Sequence, residues 1–300
     1  GATNSSYTPN TATAGTLYYY CTIDLPQGGC NTIVSQTAQI IVDPDPTISL
    51  QPTPTQTICV GGVSGLLDVG YTNGVGTASY QWYENTANNT TSGTAITGAT
   101  NSSYTPNVYT STGTYYYYCI VSLSGNGCND ATSNTAEVVV VADPTVSAPT
   151  PAQQQLCQSA AIQDISVTAN GGVGTNYSYQ WYENTANNNT SGTAITGATN
   201  SSYTPQNTTV GTIYYYCVIT QIASGCEVTS TTAQVDIVPG PTFTLQPQPA
   251  HVCVGATISP ALSVGYTNGV GTPNYQWYEN TVNNTTSGTA ITGATNSSYT

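Results

Sequence analysis

The octapeptide GATNSSYT begins at Gly1, Gly98, Gly197 and Gly293, so the chain repeats itself with periods of 97, 99 and 96 residues. Repetition at this length constrains the fold more than any other feature, because one supersecondary plan must serve every copy. The longest copied block, YQWYENTANNTTSGTAITGATNSSYTP, runs from Tyr80 to Pro106. It recurs from Tyr179 with Asn189 in place of Thr90, and from Tyr275 with Val282 in place of Ala87. Pro and Asp gather between strand-like runs at IIVDPDPTISL, VVVVADPTVSAPTP and DIVPGPTFTLQPQP. Cutting there gives the C-terminal part of one repeat at 1–44, complete repeats at 45–143 and 144–240, and the N-terminal part of another at 241–300. Residues 241–292 followed by 1–44 would rebuild a unit of 96 residues. Spacers of about three to five residues are too short for free coil, so neighbours are expected to abut in an extended, semi-rigid rod. Gly1 in place of Met, the lack of methionine and the stop inside a motif suggest an interior window of a longer protein.

Within 45–143, short strands are expected near 47–51, 57–60, 64–72, 79–85, 94–97, 102–105, 114–122 and 133–142, separated by turn signals at Asn73-Gly74 and Ser124-Gly-Asn-Gly127. Tyr, Val, Ile and Thr supply strand formers, while Asn, Ser, Gly and Pro supply turns. Many short strands in under a hundred residues indicate an all-β sandwich.

The chain contains no lysine or arginine, and its net charge is −13. Such a surface cannot neutralise phosphates, which argues against nucleic acid and anionic membranes as partners. No run of about 18 apolar residues suggests membrane insertion. Nine cysteines in so polar a chain favour an oxidising, extracellular setting.

In SYQWYEN the alternation sends Trp82 one way and Gln81 and Tyr83 the other. Tyr117-x-Cys119 follows about 35 residues later, and the pattern recurs as Trp181 with Tyr215 and Cys217. Trp277 has its counterparts in Tyr19 and Cys21 of the partial repeat. This resembles the immunoglobulin pattern, which implies a core tryptophan on strand C (Trp82, Trp181, Trp277) and a tyrosine corner on strand F (Tyr19, Tyr117, Tyr215). The strand B position that carries cysteine in antibody domains holds Val69, Val167 and Val264 here, so the antibody B–F disulfide cannot form. Cysteines stand instead upstream of strand B, at Cys59, Cys157 and Cys253, and nine residues past the strand F cysteine, at Cys30, Cys128 and Cys226. Taken in this order, these elements resemble tandem immunoglobulin-like repeats of large bacterial cell-surface adhesins, of the Bacteroidota type exported by type IX secretion in gliding cells. The resemblance implies the outer pairing, Cys59 with Cys128, and a buried third cysteine at Cys21, Cys119 and Cys217. The constant spacing also allows a Cys119–Cys128 hairpin bond, and bonds between domains or chains complete the alternatives. The immunoglobulin template places Cys59 and Cys128 at opposite ends of the domain, too far apart unless the first strand departs from it.

No residue pattern supports catalysis, a metal or a cofactor. His251 has Thr57 and Gln155 as equivalents, and Glu84, Glu183 and Glu279 each stand without a second carboxylate. Calcium at a linker would rest on Asp43 and Asp45, matched elsewhere only by Asp143. If Tyr117 faces the core, Tyr116 and Tyr118 face outward beside Tyr83. Tyr182, Tyr214 and Tyr216 repeat this candidate contact stripe, as do Tyr18, Tyr20 and Tyr278. The expected role is a structural stalk or filament segment of a secreted, cell-surface adhesin. Its expected partners are neighbouring repeats, other copies of itself or surface glycans, and the alternative is a carbohydrate-binding array that uses the stripe.

Overall fold

The computed structural model describes residues 1–125, 127–221 and 225–300, and its regular structure is entirely β-strand. The chain divides into two compact units, one of Gly1–Asp143 with Ala223–Cys226 and one of Pro144–Ile222 with Glu227–Thr300. Asn126, within one of the expected turns, lies outside the described residues.

The first unit opens with β1 (Gly15–Tyr19), β2 (Thr22–Ile23), β3 (Ile33–Val34) and β4 (Ala38–Val42). A full set of strands follows: β5 (Thr47–Leu50), β6 (Thr55–Cys59), β7 (Leu67–Asp68), β8 (Gly70–Thr72), β9 (Ala78–Asn85), β10 (Thr94–Ala95), β11 (Ser103–Tyr104), β12 (Gly113–Leu123), β13 (Ala131–Thr132) and β14 (Ala136–Val141). One layer has the order β10-β9-β12-β14-β6, with β13 also on β12; the pairs β5–β8 and β7–β11 face it.

The second unit repeats this plan with β15 (Thr145–Val146), β16 (Gln153–Cys157), β17 (Ile165–Ser166), β18 (Ala169–Asn170), β19 (Tyr177–Asn184), β20 (Thr193–Ala194), β21 (Ser202–Tyr203), β22 (Gly211–Gln221), β23 (Glu227–Thr229) and β24 (Ala233–Val238). The order β16-β24-β22-β19-β20 makes one layer, opposed by β15–β18 and β17–β21. The unit ends with β25 (Thr242–Leu245), β26 (Leu262–Ser263), β27 (Gly265–Thr267), β28 (Tyr278–Glu279), β29 (Thr289–Ala290) and β30 (Ser298–Tyr299). These are immunoglobulin-like β-sandwiches, in which β9 and β19 take the place of strand C, β12 and β22 of strand F, and β14 and β24 of strand G.

Alternation along β14 builds the core: Ala136, Val138 and Val140 point inward, while Glu137, Val139 and Val141 stay half-buried. Ala233, Val235 and Ile237 do the same on β24. Trp82 is fully buried among Leu67, Val69, Tyr117, Cys119 and Val121, and its indole N–H donates to the Asn101 carbonyl at 3.0 Å. Trp181 repeats this with Asn200 at 2.9 Å. Val69 and Val167 are packed in these cores, so the apolar residue that replaces the strand B cysteine is used as a hydrophobe.

The first strand departs from a simple edge. It begins as β5 in one layer, then crosses to the other as β6, which runs parallel to β14 from Glu137↔Thr55 to Val141↔Cys59. The parallel ladder carries Cys59 to the end of the domain at which β14 finishes. At the opposite end, Asn73 and Gly74 turn the chain with φ of 66° and 80°, the left-handed conformation that an Asn-Gly turn supplies.

Candidate contact face and cysteine positions

The two strand F tyrosines beside the buried one do point away from the core, but they are not an open stripe. Tyr118 and Tyr216 are each only 3% exposed. Tyr83 stacks on Tyr118 with ring centroids 5.0 Å apart, and Tyr182 stacks on Tyr216 at 5.1 Å. The connection after β9 folds over these rings. Asn85 donates from Nδ2 to the Asn89 carbonyl and side chain at 3.0 and 3.1 Å, and the Asn89 side chain in turn accepts from the Thr91 and Ser92 backbone. This pulls Gly93 onto Tyr118, where a Cβ would lie 2.7 Å from the ring. In the next copy the Gly192 N–H donates to the Tyr216 hydroxyl at 2.9 Å. The expectation of an exposed row therefore fails at Tyr118 and Tyr216, because the short polar loop roofs them. Tyr116 and Tyr214 stay half-buried, and the Tyr116 hydroxyl donates to Glu137 at 3.1 Å. That bond to a carboxylate holds the phenol's proton and pushes its pKa up. Tyr18, Tyr20 and Tyr278, in the partial repeats, are exposed.

Tyr117 and Tyr215 are core residues, as the immunoglobulin pattern implies, but their hydroxyls differ. The Tyr117 hydroxyl pairs with that of Tyr109 at 2.7 Å. Burial pushes the Tyr109 phenol up to about 12, and Tyr117 further still. The Tyr215 hydroxyl is buried near the Gln206 backbone without a partner in hydrogen-bond geometry.

Cys119 and Cys217 are buried thiols, pushed by burial up to about 11 and 12. They sit opposite Trp82 and Trp181 in register. Each is fixed by a buried serine: the Cys119 N–H donates to Ser133 Oγ, and the Cys217 N–H to Ser230 Oγ, both at 2.9 Å. The position across the hairpin from Cys119 is thus Ser133 and not Cys128, which removes the Cys119–Cys128 pairing.

Cys59 bonds to Cys226, with Cα atoms 5.0 Å apart. The outer pairing of Cys59 with Cys128 is absent, and topology gives the reason. Cys59 is level with Val141, and Val140 is level with Gly113 at the start of β12. Cys128 precedes β13, whose Ala131 is level with Val121 near the far end of β12. At about 3.4 Å per residue the two cysteines stand roughly 30 Å apart, against the 4.4–6.8 Å Cα separation that a disulfide tolerates. Gly225 comes so close to Gly62 that a Cβ would lie 2.3 Å from its Cα, so the approach of the bonded segments depends on glycine. Cys21, Cys30, Cys128, Cys157 and Cys253 carry no disulfide in this structure.

Among the described residues, no group of three or more His, Cys, Asp or Glu side chains could hold a metal ion. The Asp45 carboxylate is engaged in accepting the Asn129 backbone and side-chain N–H groups at 3.1 and 2.7 Å, which lowers its pKa. No helix among the described residues is long and apolar enough to cross a membrane.

The model of one protein family, described as Domain of unknown function (DUF8696), matches residues 50–142 and again 146–239. The chain belongs to this family. The two matches fall on the two complete DUF8696 repeats just described. No curated protein matches the chain. Among solved structures it is similar to the fibronectin(III)-like modules of CbhA from Clostridium thermocellum, at 16% identity over 64% of this chain and 92% of that one, with a TM-score of 0.32. It is also similar to the Sidekick-1 immunoglobulin domains 1–4, at 18% identity over 76% and 59% with a TM-score of 0.33. The three N-terminal domains of the bacteriophage RB49 outer capsid protein Hoc match at 14% identity over 82% and 78%, with a TM-score of 0.36.

Proposed function

We propose that this chain is a non-catalytic stalk or filament segment of an exported, cell-surface adhesin, which spaces an adhesive element from its anchor. The carrying observation is that two successive DUF8696 repeats build the same closed core around Trp82 and Trp181 while their outward tyrosines are roofed by their own loops. The repeated surface is spent on the domain's own packing, which suits a spacer better than a reader of ligands. The Cys59–Cys226 bond supports export to an oxidising compartment. The bacterial-adhesin resemblance supplies the cell-surface setting, with neighbouring repeats and other copies as partners.

A glycan array probed with the full chain tests this against the carbohydrate-binding alternative. The stalk reading expects no binding. Saturable binding lost in Tyr83→Ala or Tyr116→Ala would overturn it, because those half-buried rings are what remains open of the stripe.

A further inference from the structure

The bonded pair relates two different positions of the repeat: Cys59 ends the parallel strand of one copy, and Cys226 follows strand F of the next. Both positions recur. Cys157 ends β16 opposite Val238 as Cys59 ends β6 opposite Val141. The backbone shape at the cysteines recurs as well. The residue two after each upstream cysteine (Gly61, Ser159, Gly255) has φ of 80°, 61° and 84°, and the glycine before each downstream one (Gly29, Gly127, Gly225) has φ of 67°, 83° and 81°.

We infer that these cysteines follow one register, in which the upstream cysteine of each repeat bonds the downstream cysteine of the repeat that follows. When two copies of this chain meet end to end, residues 241–292 of one and 1–44 of the other complete a repeat. The register then pairs Cys157 with Cys30 of the second copy, and Cys253 with Cys128 of the second copy.

Two cavities lie where these bonds require them. Cys157 lines a cavity of about 330 Å³ with Phe243, Tyr266 and the turn from Asn268 to Tyr275. In the complete repeats the corresponding turn receives the end of strand F. Thr77 N–H donates to Ser124 Oγ at 2.9 Å, and Val173 N–H to Gln221 Oε1 at 2.7 Å. A strand F hairpin that completes 241–300 therefore arrives beside Cys157. Cys128 lines a second cavity with Ile41, Val42 and Asp43, at the finish of β4. There an upstream cysteine paired to β4 would end, as Cys59 does on β14. Each bond forms as two thiols give two electrons and two protons to an oxidised small disulfide, which leaves as two thiols.

This register stands whether or not the chain serves as a stalk. The full chain is incubated with oxidised and reduced glutathione as an equimolar mixture of ¹⁴N and ¹⁵N copies, then digested with chymotrypsin without reduction and mapped by mass spectrometry. The expected result is Cys59–Cys226 within one copy, with Cys157–Cys30 and Cys253–Cys128 between copies, seen on gels as a ladder that thiol reductant collapses. A variant with Cys30→Ser and Cys128→Ser should lose at least tenfold of the ladder and keep Cys59–Cys226. A Cys59–Cys128 peptide overturns the register, as do ladders with scrambled pairs. Monomers in which Cys30, Cys128, Cys157 and Cys253 all stay unlinked between copies overturn it equally.

Discussion

Residues 80–105 and 275–300 differ at one position, yet the structure treats them differently. Their local hydrogen bonds are the same. The Trp82 and Trp277 indoles donate to Asn101 and Asn296, and Asn85 and Asn280 hold the loops through Asn89 and Asn284. The first copy nevertheless has an eight-residue strand and a fully buried tryptophan, whereas the second has a two-residue strand and a half-exposed one. The first lies against β12 along its whole length, and the second has no strand F beside it within this chain. Short-range polar contacts are thus written in the copied block itself, while strand length and burial come from a partner about 35 residues away.

Alkali gives the largest expected contrast. Cys119, Cys217 and Tyr109, whose pKa values are raised to about 11, 12 and 12, keep their protons more tightly folded than unfolded. Their contribution to stability is complete below about pH 9 and falls as the pH rises through 9–12, where the unfolded chain has already released protons that the fold retains. Circular dichroism at increasing pH should show cooperative unfolding of the complete repeats in that window. Unchanged unfolding midpoints in denaturant from pH 8 to 12 would show that these groups are not buried.

Next is the tryptophan pair. Trp82→Ala should cost about 3–5 kcal/mol, as expected for emptying a large aromatic site. Trp277→Ala should cost about 1 kcal/mol or less, since its site is already open. Hydrogen exchange read segment by segment in the full chain separates the two, and equal losses would break the comparison.

The smallest effect distinguishes the two complete repeats. Tyr117→Phe orphans the buried Tyr109 hydroxyl and should cost about 1–3 kcal/mol, while Tyr215→Phe removes a hydroxyl that already lacks a partner and should be close to neutral. Denaturant unfolding of the two variants checks this, and a reversed order would place the buried polar contact in the wrong repeat.

The sandwich was legible in the sequence because alternation, turn dipeptides and the Trp and Tyr-x-Cys spacing all report on period-two strands around one core. Val69 announced the missing B–F disulfide in the same way. The outward direction of Tyr118 was legible, but its burial was not. The roof depends on Asn85 and Asn89 closing a loop and on Gly93 admitting a ring, and in a chain so rich in Asn, Thr and Ser those residues resemble ordinary turn chemistry. The Tyr109–Tyr117 pair escaped notice because Tyr109 lies in a stretch where the repeats differ in length. Cysteine spacing gives distance along the chain and cannot say which copy a partner belongs to. The conflict between Cys59 and Cys128 at opposite ends was visible, and the answer required knowing that β6 runs parallel to the strand through which the chain leaves.

That parallel ladder decides how a repeat bears tension. The chain enters β6 at Thr55 and leaves β14 at Val141, at opposite ends of five paired residues. A pull on both termini drags the two strands past each other along their length, so the bonds between them share the load and must yield together. An antiparallel pair loaded at one end would open one bond at a time. The same arrangement from Gln153 to Cys157 along β24 gives the second repeat the same grip.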